Sequence, residues 1–464
     1  MSSFYISAAH KSSGKTTLSI GISAAIRQRK LNIQTFKKGP DYIDPIWLGQ
    51  ASKNSCYNLD FYTSGKSFIV DQFNQYRAQK DVVLVEGNMG LFDGMALDGS
   101  DSNAAMAKLL QLPVILVVDT SGTSRGIAPL LNGYQSFDDE IEYAGVILNK
   151  VAGNRHRTKL TNVIHEYTDF KILGAVPRNT DIQVTERHLG LIPGNEMPEE
   201  SERVIELLAA QASEFIDIDA LLAIKSKRAL DTTPVIQPSI TENKSPTNLQ
   251  IAVAMDQAFG FYYPGDLQQF ESTGVEIIPF NCLKDSQLPS DIDGLFIGGG
   301  FPETQLAELS ANQSMINSIK TAIQQGLPTY AECGGLMYLC SNLTYNGNTY
   351  PLCDVISATV NMHKRPQGRG YVILETNDTH PWFTDNRQTI NAHEFHYSAI
   401  QGLPEDTKYA YTIKRGTGID NINDGIILYN LVASYSHLRH TDECLWVDNF
   451  VSFVKRCKNR VQND

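Results

Sequence analysis

Two short segments of this chain carry residue types that do chemistry at fixed spacing. The first is Gly14-Lys15-Thr16-Thr17, behind an apolar run at Phe4–Ala8 and ahead of Leu18, Ile22 and Ile26 at four-residue spacing. Where a strand turns into a helix, backbone N–H groups point at phosphate oxygens and the helix dipole adds to their pull. In that setting Lys15 neutralises the outer phosphates of ATP and Thr16 offers a hydroxyl to Mg²⁺, with Gly14 and Thr17 completing the turn. A full phosphate loop reads G-x-x-x-x-G-K-[ST], and Ala9 stands where its first glycine would be. The second segment is Ala331-Glu332-Cys333-Gly334-Gly335. Small residues two before and two after a cysteine are what a strand–nucleophile–helix elbow needs, and a helix start beside the sulfur favours the thiolate. A nucleotide site and a thiol nucleophile on one chain suit ATP-dependent amidation: ATP activates a carboxylate, and the cysteine liberates ammonia from glutamine.

Acidic residues follow the phosphate segment. Asp41 and Asp44 sit three apart in Lys38-Gly39-Pro40-Asp41-Tyr42-Ile43-Asp44-Pro45, read as a proline-stiffened loop after a second strand. Glu86 ends the run Val82–Glu86 and leads into a glycine-rich loop that reaches Asp93. Ligands bind at the carboxyl ends of parallel strands, and a carboxylate there suits Mg²⁺, which keeps waters and takes one or two protein oxygens. Solvated turn aspartates are the competing reading. Asn149, at the end of another apolar run, either meets an adenine edge or simply terminates its strand.

The thiol needs partners. Gly298-Gly299-Gly300 follows the run Gly294–Ile297, and side-chain-free backbone there, with Gly300 and Gly334 as donors, suits an oxyanion hole. His437 lies just beyond a predicted strand and is the expected base, with His440 as the fallback. His393 and His396 are expected on one face of an extended segment, either at the site or in surface packing. A buried structural thiol is the competing reading of Cys333, and the other cysteines are read that way.

These groups need a scaffold to hold them. Runs at Phe4–Ala8, Asn32–Phe36, Val82–Glu86, Pro113–Val118, Ala144–Asn149 and Ile172–Val176 alternate with helix-length segments, the pattern of a doubly wound parallel α/β sheet. Residues 225–248 are polar and proline-rich and read as a linker between a 1–224 domain and a 249–464 domain. A second α/β pattern runs through Ile251–Met255, Val275–Phe280, Gly294–Ile297 and Pro328–Ala331, with further strands at Tyr371–Leu374 and Gly425–Val432. The 464 residues, 42% hydrophobic and 19% charged, suit two or three globular domains. A net charge of −12 argues against a nucleic-acid partner. Seven cysteines without a Cys-x-x-Cys framework point to a reducing cytoplasm, and no run is long enough to span a membrane.

Gly14-Lys15-Thr16-Thr17, Gly39-Pro40-Asp41-Tyr42-Ile43-Asp44-Pro45, Glu86-Gly87, Met89-Gly90-Leu91-Phe92-Asp93-Gly94 and the Cys333 elbow together resemble the cobyrinic acid a,c-diamide synthase family. So do Glu186-Arg187-His188-Leu189-Gly190-Leu191 and Phe261-Tyr262-Tyr263-Pro264. The resemblance implies an N-terminal P-loop NTPase-like domain similar to dethiobiotin synthetase. It also implies a C-terminal, flavodoxin-like class I glutamine amidotransferase domain. It further implies ATP- and Mg²⁺-dependent amidation of the a- and c-acetates of a cobalt tetrapyrrole through acyl phosphates. Lys15, Thr16 and Glu86 then match the ATP–Mg²⁺ residues. Asp41, Asp44 and Asp93 match positions of substrate activation, and Cys333 and His437 the glutaminase nucleophile and base. Two departures stand out: Ala9-His10-Lys11-Ser12 in the phosphate loop, and Leu438-Arg439 after His437, where the wider class I group carries Pro-Glu. Sirohaem or nickel-sirohydrochlorin as substrate, or a non-catalytic nucleotide-dependent binding protein, are the alternatives. The expected assembly is a monomer or homodimer.

Overall fold

The computed structural model describes residues 1–178, 186–187, 190–225, 248–383 and 387–461. Two compact units emerge, one of Met1–Phe61 and Gly65–Gln237, the other of Pro238–Asp464 together with Tyr62–Ser64. Most of the expected linker lies outside the described residues, as do His188 and Leu189.

The first unit is built on seven strands: β1 (Ser2–Ala8), β2 (Ile33–Lys38), β3 (Tyr57–Leu59), β4 (Val82–Glu86), β5 (Val114–Asp119), β6 (Tyr143–Val151) and β7 (Ile172–Pro177). They pair in the order β3-β2-β4-β1-β5-β6-β7, all parallel. Helices cover both faces, so the central strands are buried throughout and read as unbroken apolar runs. Helix α1 (Lys15–Gln28) lays Leu18, Ile22 and Ile26 against β1 and β4, the face its spacing predicts. One expectation is corrected here. Asp44 is not on a loop but in the first turn of helix α2 (Ile43–Ser52), where Asp41 Oδ1 accepts the N–H groups of Ile43 and Asp44 at 2.9 and 3.1 Å. An acidic side chain capping exposed helix N–H groups outcompetes the loop that Pro40 and Pro45 suggested. Residues Glu186–Arg187 (β8) and Gly190–Leu191 (β9) form a small antiparallel pair.

The second unit starts with four parallel strands, β10 (Leu249–Ala254), β11 (Val275–Phe280), β12 (Gly294–Ile297) and β13 (Thr329–Glu332). A side sheet follows, from β14 (Cys340–Tyr345), β15 (Asn348–Pro351), β16 (Ile356–Met362) and, later in the chain, β19 (Ser398–Gln401). The remaining strands are β17 (Gly368–Thr376), β18 (Thr389–His396), β20 (Lys408–Arg415), β21 (Asn423–Leu428) and β22 (Leu431–Ser434). They extend the main sheet to β11-β10-β12-β13-β22-β21-β20-β17-β18. The run Gly425–Val432, expected as one strand, is a hairpin, because Tyr429 takes a positive φ of 54° and turns the chain between β21 and β22. The side sheet lacks a clear sequence signature because its strands are partly exposed: β15 has no buried residue and β14 does not alternate. What matters for the site is that β22 returns parallel beside β13, bringing a segment a hundred residues distant against the cysteine strand.

Candidate functional site

The phosphate turn joins β1 to α1. Ser12 and Gly14 both take positive φ, 65° and 87°, and supply the curl that aims the loop inward. Ala9 does not need the left-handed region, which is why alanine serves where the motif has glycine. Gly14 is required: a Cβ there would sit 2.2 Å from Asn149 Nδ2. The loop is braced by Asn149 Nδ2 donating to Ser13 O at 2.9 Å and by Lys150 Nζ donating to Ser12 O at 3.1 Å. Asn149 thus lies within β6 and braces the phosphate turn. Its amide donates to the loop and its oxygen accepts the Lys150 N–H at 2.9 Å, which ties the turn to the end of β6.

The acidic residues converge on Thr16 and on Lys37, a residue to which the sequence reading gave no role. Thr16 Oγ1 donates to Glu86 Oε1 at 2.7 Å and reaches Asp44 Oδ2 at 3.1 Å. Lys37 Nζ lies 2.5 Å from Asp44 Oδ2, 2.7 Å from Glu86 Oε1 and 3.9 Å from Asp41 Oδ2. Burial alone would push the Lys37 ammonium down, but Asp44, Glu86 and Asp41 outweigh it and hold its pKa well above the usual lysine value. Burial pushes Asp44 up, yet contact with Lys37 keeps it below the usual carboxylate range. Burial and Asp44 push Asp41 up to about 7, so the pair of aspartates is split by one lysine. Burial and Lys37 bring Lys15 down to about 8 against the pull of Glu86, Asp44 and Asp93. Asp93 Oδ2 itself accepts the Gly90 N–H at 3.0 Å and so shapes the loop after β4. Buried Asn103 holds the other side of that loop, accepting from Tyr5 Oη at 2.8 Å and donating to Gly90 O at 2.7 Å.

This arrangement fits a divalent cation. Glu86 is fully buried, and its Oε2 has no protein hydrogen-bond partner, a costly state for a carboxylate oxygen unless another ligand meets it. No group of three or more His, Cys, Asp or Glu side chains forms a closed metal cage among the described residues. That suits Mg²⁺, which draws most of its shell from phosphate and water.

The thiol site is built on β13 and β22. Cys333 follows β13 with φ 47° and ψ −99°, a strained conformation for a side-chain-bearing residue, and leads into the short helix Gly334–Leu339. Its N–H donates to Ser434 O at 2.7 Å, and its Sγ lies 3.8 Å from Phe395 O. Gly334 and Gly335 are forced by close approach: a Cβ on the former would meet Gly300 N at 3.0 Å, and one on the latter Ile297 O at 2.1 Å. The two expected oxyanion donors, Gly300 and Gly334, therefore lie side by side. Gly299 is as tightly determined, because a Cβ there would stand 2.5 Å from His437 Cε1. Tyr262 carries Gly298 from below, accepting its N–H at 2.9 Å.

His437 is buried beyond β22, on a segment held by Asp424, which accepts the N–H groups of Tyr435 and Ser436 at 3.0 and 2.9 Å. Burial pulls the imidazole down to about 3, leaving it neutral and able to take a proton. The expectation of a ready thiolate is corrected. Burial, then Glu303 and Glu332, push the Cys333 thiol well up, and the Gly334 N–H only partly offsets them. A six-residue helix start is outweighed by desolvation and two carboxylates, so the thiol needs its base. His393 and His396 do not share a face, because three residues along a strand of period two reverse direction. The His393 ring sits 5.4 Å from that of His437, whereas His396 stacks on Tyr435 at 3.8 Å. His440 is tied by its N–H to buried Asp266 at 2.9 Å. Glu332, present in the motif but given no role by the sequence reading, places Oε2 3.4 Å from His437 Nδ1.

A family model described as a CobB/CobQ-like glutamine amidotransferase domain matches residues 250–443, and one described as an AAA domain matches residues 59–185. The chain is 41% identical to the cobyrinate a,c-diamide synthase of Magnetococcus marinus, over 94% of this chain and 93% of that protein. It is 37% identical to the synthase of that name from Caldanaerobacter subterraneus, over 98% of each chain. The one from Listeria monocytogenes is 37% identical over 98% of this chain and 100% of its own length. Similarity of that depth runs through both units at once. The chain belongs to the cobyrinate a,c-diamide synthase family.

Proposed function

We propose that this protein converts cobyrinate to its a,c-diamide, using ATP and glutamine, as a step in cobalamin biosynthesis. The observation that carries the reading is a buried nucleophile elbow at Cys333 on a chain whose other unit gathers Lys15, Thr16, Lys37, Asp44 and Glu86 at a phosphate turn. In this reading residues 1–224 are the amidoligase domain, 225–248 the linker and 249–464 the glutaminase domain.

The steps follow from the side chains. His437 takes the Cys333 proton, and the sulfur attacks the side-chain carbonyl of glutamine to give a tetrahedral oxyanion held by the Gly300 and Gly334 N–H groups. Ammonia leaves with a proton returned by His437, and water releases glutamate from the thioester. In the first unit an acetate carboxylate of the tetrapyrrole attacks the γ-phosphorus of ATP and ADP departs. Ammonia then displaces phosphate from the acyl phosphate, and the cycle repeats on the second acetate. Lys15 offsets charge on the transferring phosphoryl group, while Asp41, Asp44 and Asp93 orient the substrate and accept protons from ammonia. Thr16 and Glu86 would hold Mg²⁺, which supplies charge neutralisation across the phosphates.

The test is Cys333→Ser. Glutamine-driven amidation falls to background while ammonium chloride still supports diamide formation, followed by mass spectrometry with ATP, Mg²⁺ and cobyrinate. Loss of both activities sinks the two-site reading. Parallel incubations with sirohaem and nickel-sirohydrochlorin check the substrate, since amidation of either one in preference to cobyrinate refutes the assignment.

A further inference from the structure

We infer that Glu332 is the positioning carboxylate of the thiol site, orienting His437 through Nδ1 so that Nε2 is left to accept the Cys333 proton; this rests on the glutaminase reading above. The two side chains are almost wholly buried, 2% and 3% exposed, with Glu332 Oε2 3.4 Å from His437 Nδ1. Catalytic hydrogen bonds of this kind are commonly long without substrate and tighten in its complex.

The other oxygen of Glu332 is already committed. Oε1 accepts Tyr330 Oη at 2.6 Å and the Leu438 N–H at 2.9 Å. Burial pushes the Glu332 carboxyl up to about 8, the two donors on Oε1 pull it back toward the ionised form, and Oε2 is left facing the imidazole. Among the described residues no Lys or Arg forms an ion pair with Glu332, and the group facing Oε2 is the neutral ring of His437. A carboxylate facing Nδ1 places the single proton of a neutral imidazole on that nitrogen, and Nε2 then carries the lone pair. Once the thiol proton arrives, the same carboxylate steadies the imidazolium.

The backbone makes this pairing rigid. Glu332 pairs with Ser434 across β13 and β22, Cys333 N–H donates to Ser434 O, and the Leu438 N–H bound by Glu332 belongs to the residue directly after the base. One strand thus presents the nucleophile and, one residue earlier, the group that orients its base. This also accounts for Leu438-Arg439 after His437: no carboxylate follows the base in sequence because one reaches it from the neighbouring strand.

The test uses the full chain with Glu332→Gln and Glu332→Asp. Glutamine's terminal amide in place of the carboxylate presents a donor to Nδ1 and favours the wrong tautomer. Glutaminase kcat in Glu332→Gln is expected to fall about 100-fold or more while KM for glutamine stays within about threefold. Alkylation of Cys333 by iodoacetamide, read on its peptide by mass spectrometry, slows in step, and Glu332→Asp falls between Glu332→Gln and wild type. Ammonia-driven amidation and the thermal midpoint, measured on the same preparations, report folding. A Glu332→Gln enzyme with kcat within about threefold of wild type overturns the inference. So does a loss shared equally by KM, ammonia-driven turnover and thermal midpoint, which marks a structural role. A wild-type protein without glutaminase turnover overturns the functional reading beneath it as well.

Discussion

Gly299→Ala is a sharp test of how tightly the thiol site is packed. The added methyl would lie 2.5 Å from His437 Cε1, with both ring nitrogens at 3.4 Å. Ordinary carbon–carbon contact is about 3.5–4.0 Å, so the ring or the glycine loop must retreat by about 1 Å. The ring has little room, since its segment is pinned through Tyr435 and Ser436 by Asp424 and through Leu438 by Glu332. The loop is no freer, because Gly300 and Gly334 already touch. A displacement of about 1 Å at a reacting group costs on the order of 100-fold in rate. Glutaminase kcat should therefore fall by about that factor, with KM for glutamine changed far less, because the displaced atoms act on the proton and the oxyanion. The assay is glutamate release with saturating glutamine, set beside ammonia-driven amidation on the same preparation. A kcat within about threefold of wild type would show that the ring or loop yields without cost, and the argument from close packing would fail.

Two further outcomes follow from the buried charges. Lys37→Met leaves Glu86 and Asp44 side by side without their counter-charge, expected to destabilise the protein by about 3–5 kcal/mol at pH 8 by urea unfolding. Lys37 holds the Asp44 carboxyl low against burial, so without that lysine burial raises it, the group protonates more readily when folded, and the deficit shrinks as pH falls. A pH-independent deficit would refute the charge account. His380 is buried among Trp382, Phe383 and Tyr411, and burial pulls it down to about 3. A depressed folded pKa means that the unfolded chain binds the extra proton below about 6.5, so stability is lost as pH falls. His380→Asn should flatten that slope by about 1.4 kcal/mol per pH unit between about pH 6 and 3; an unchanged slope means that the ring titrates freely when folded.

Six of the seven parallel strands of the first unit are legible because burial on both faces leaves apolar runs, and Val82–Glu86 matches its observed bounds, whereas the three-residue edge strand Tyr57–Leu59 is too short to carry one. The side sheet was not legible, since its short half-exposed strands carry no comparable run. Prolines dominate the local sequence around Asp44 and suggest a loop, whereas Asp41 two and three residues upstream accepts the N–H groups of Ile43 and Asp44 and starts the helix.

The sequence by itself determined the chemistry available. It presents a phosphate turn at Gly14–Thr17, carboxylates at the ends of strands, and a cysteine flanked by residues small enough for an elbow. Those are local properties, fixed by residue type and spacing along a few turns of chain. The tertiary structure alone decided which groups meet. Lys37 is one buried lysine among several charged residues until β2 lies beside β4 and brings it to Glu86. Glu332 is an unassigned neighbour of the nucleophile until β22 pairs with β13 and carries His437 to it. Partners 49 and 105 positions apart leave no mark on local periodicity. Only the ordering of strands in a desolvated sheet sets which carboxylate faces which base.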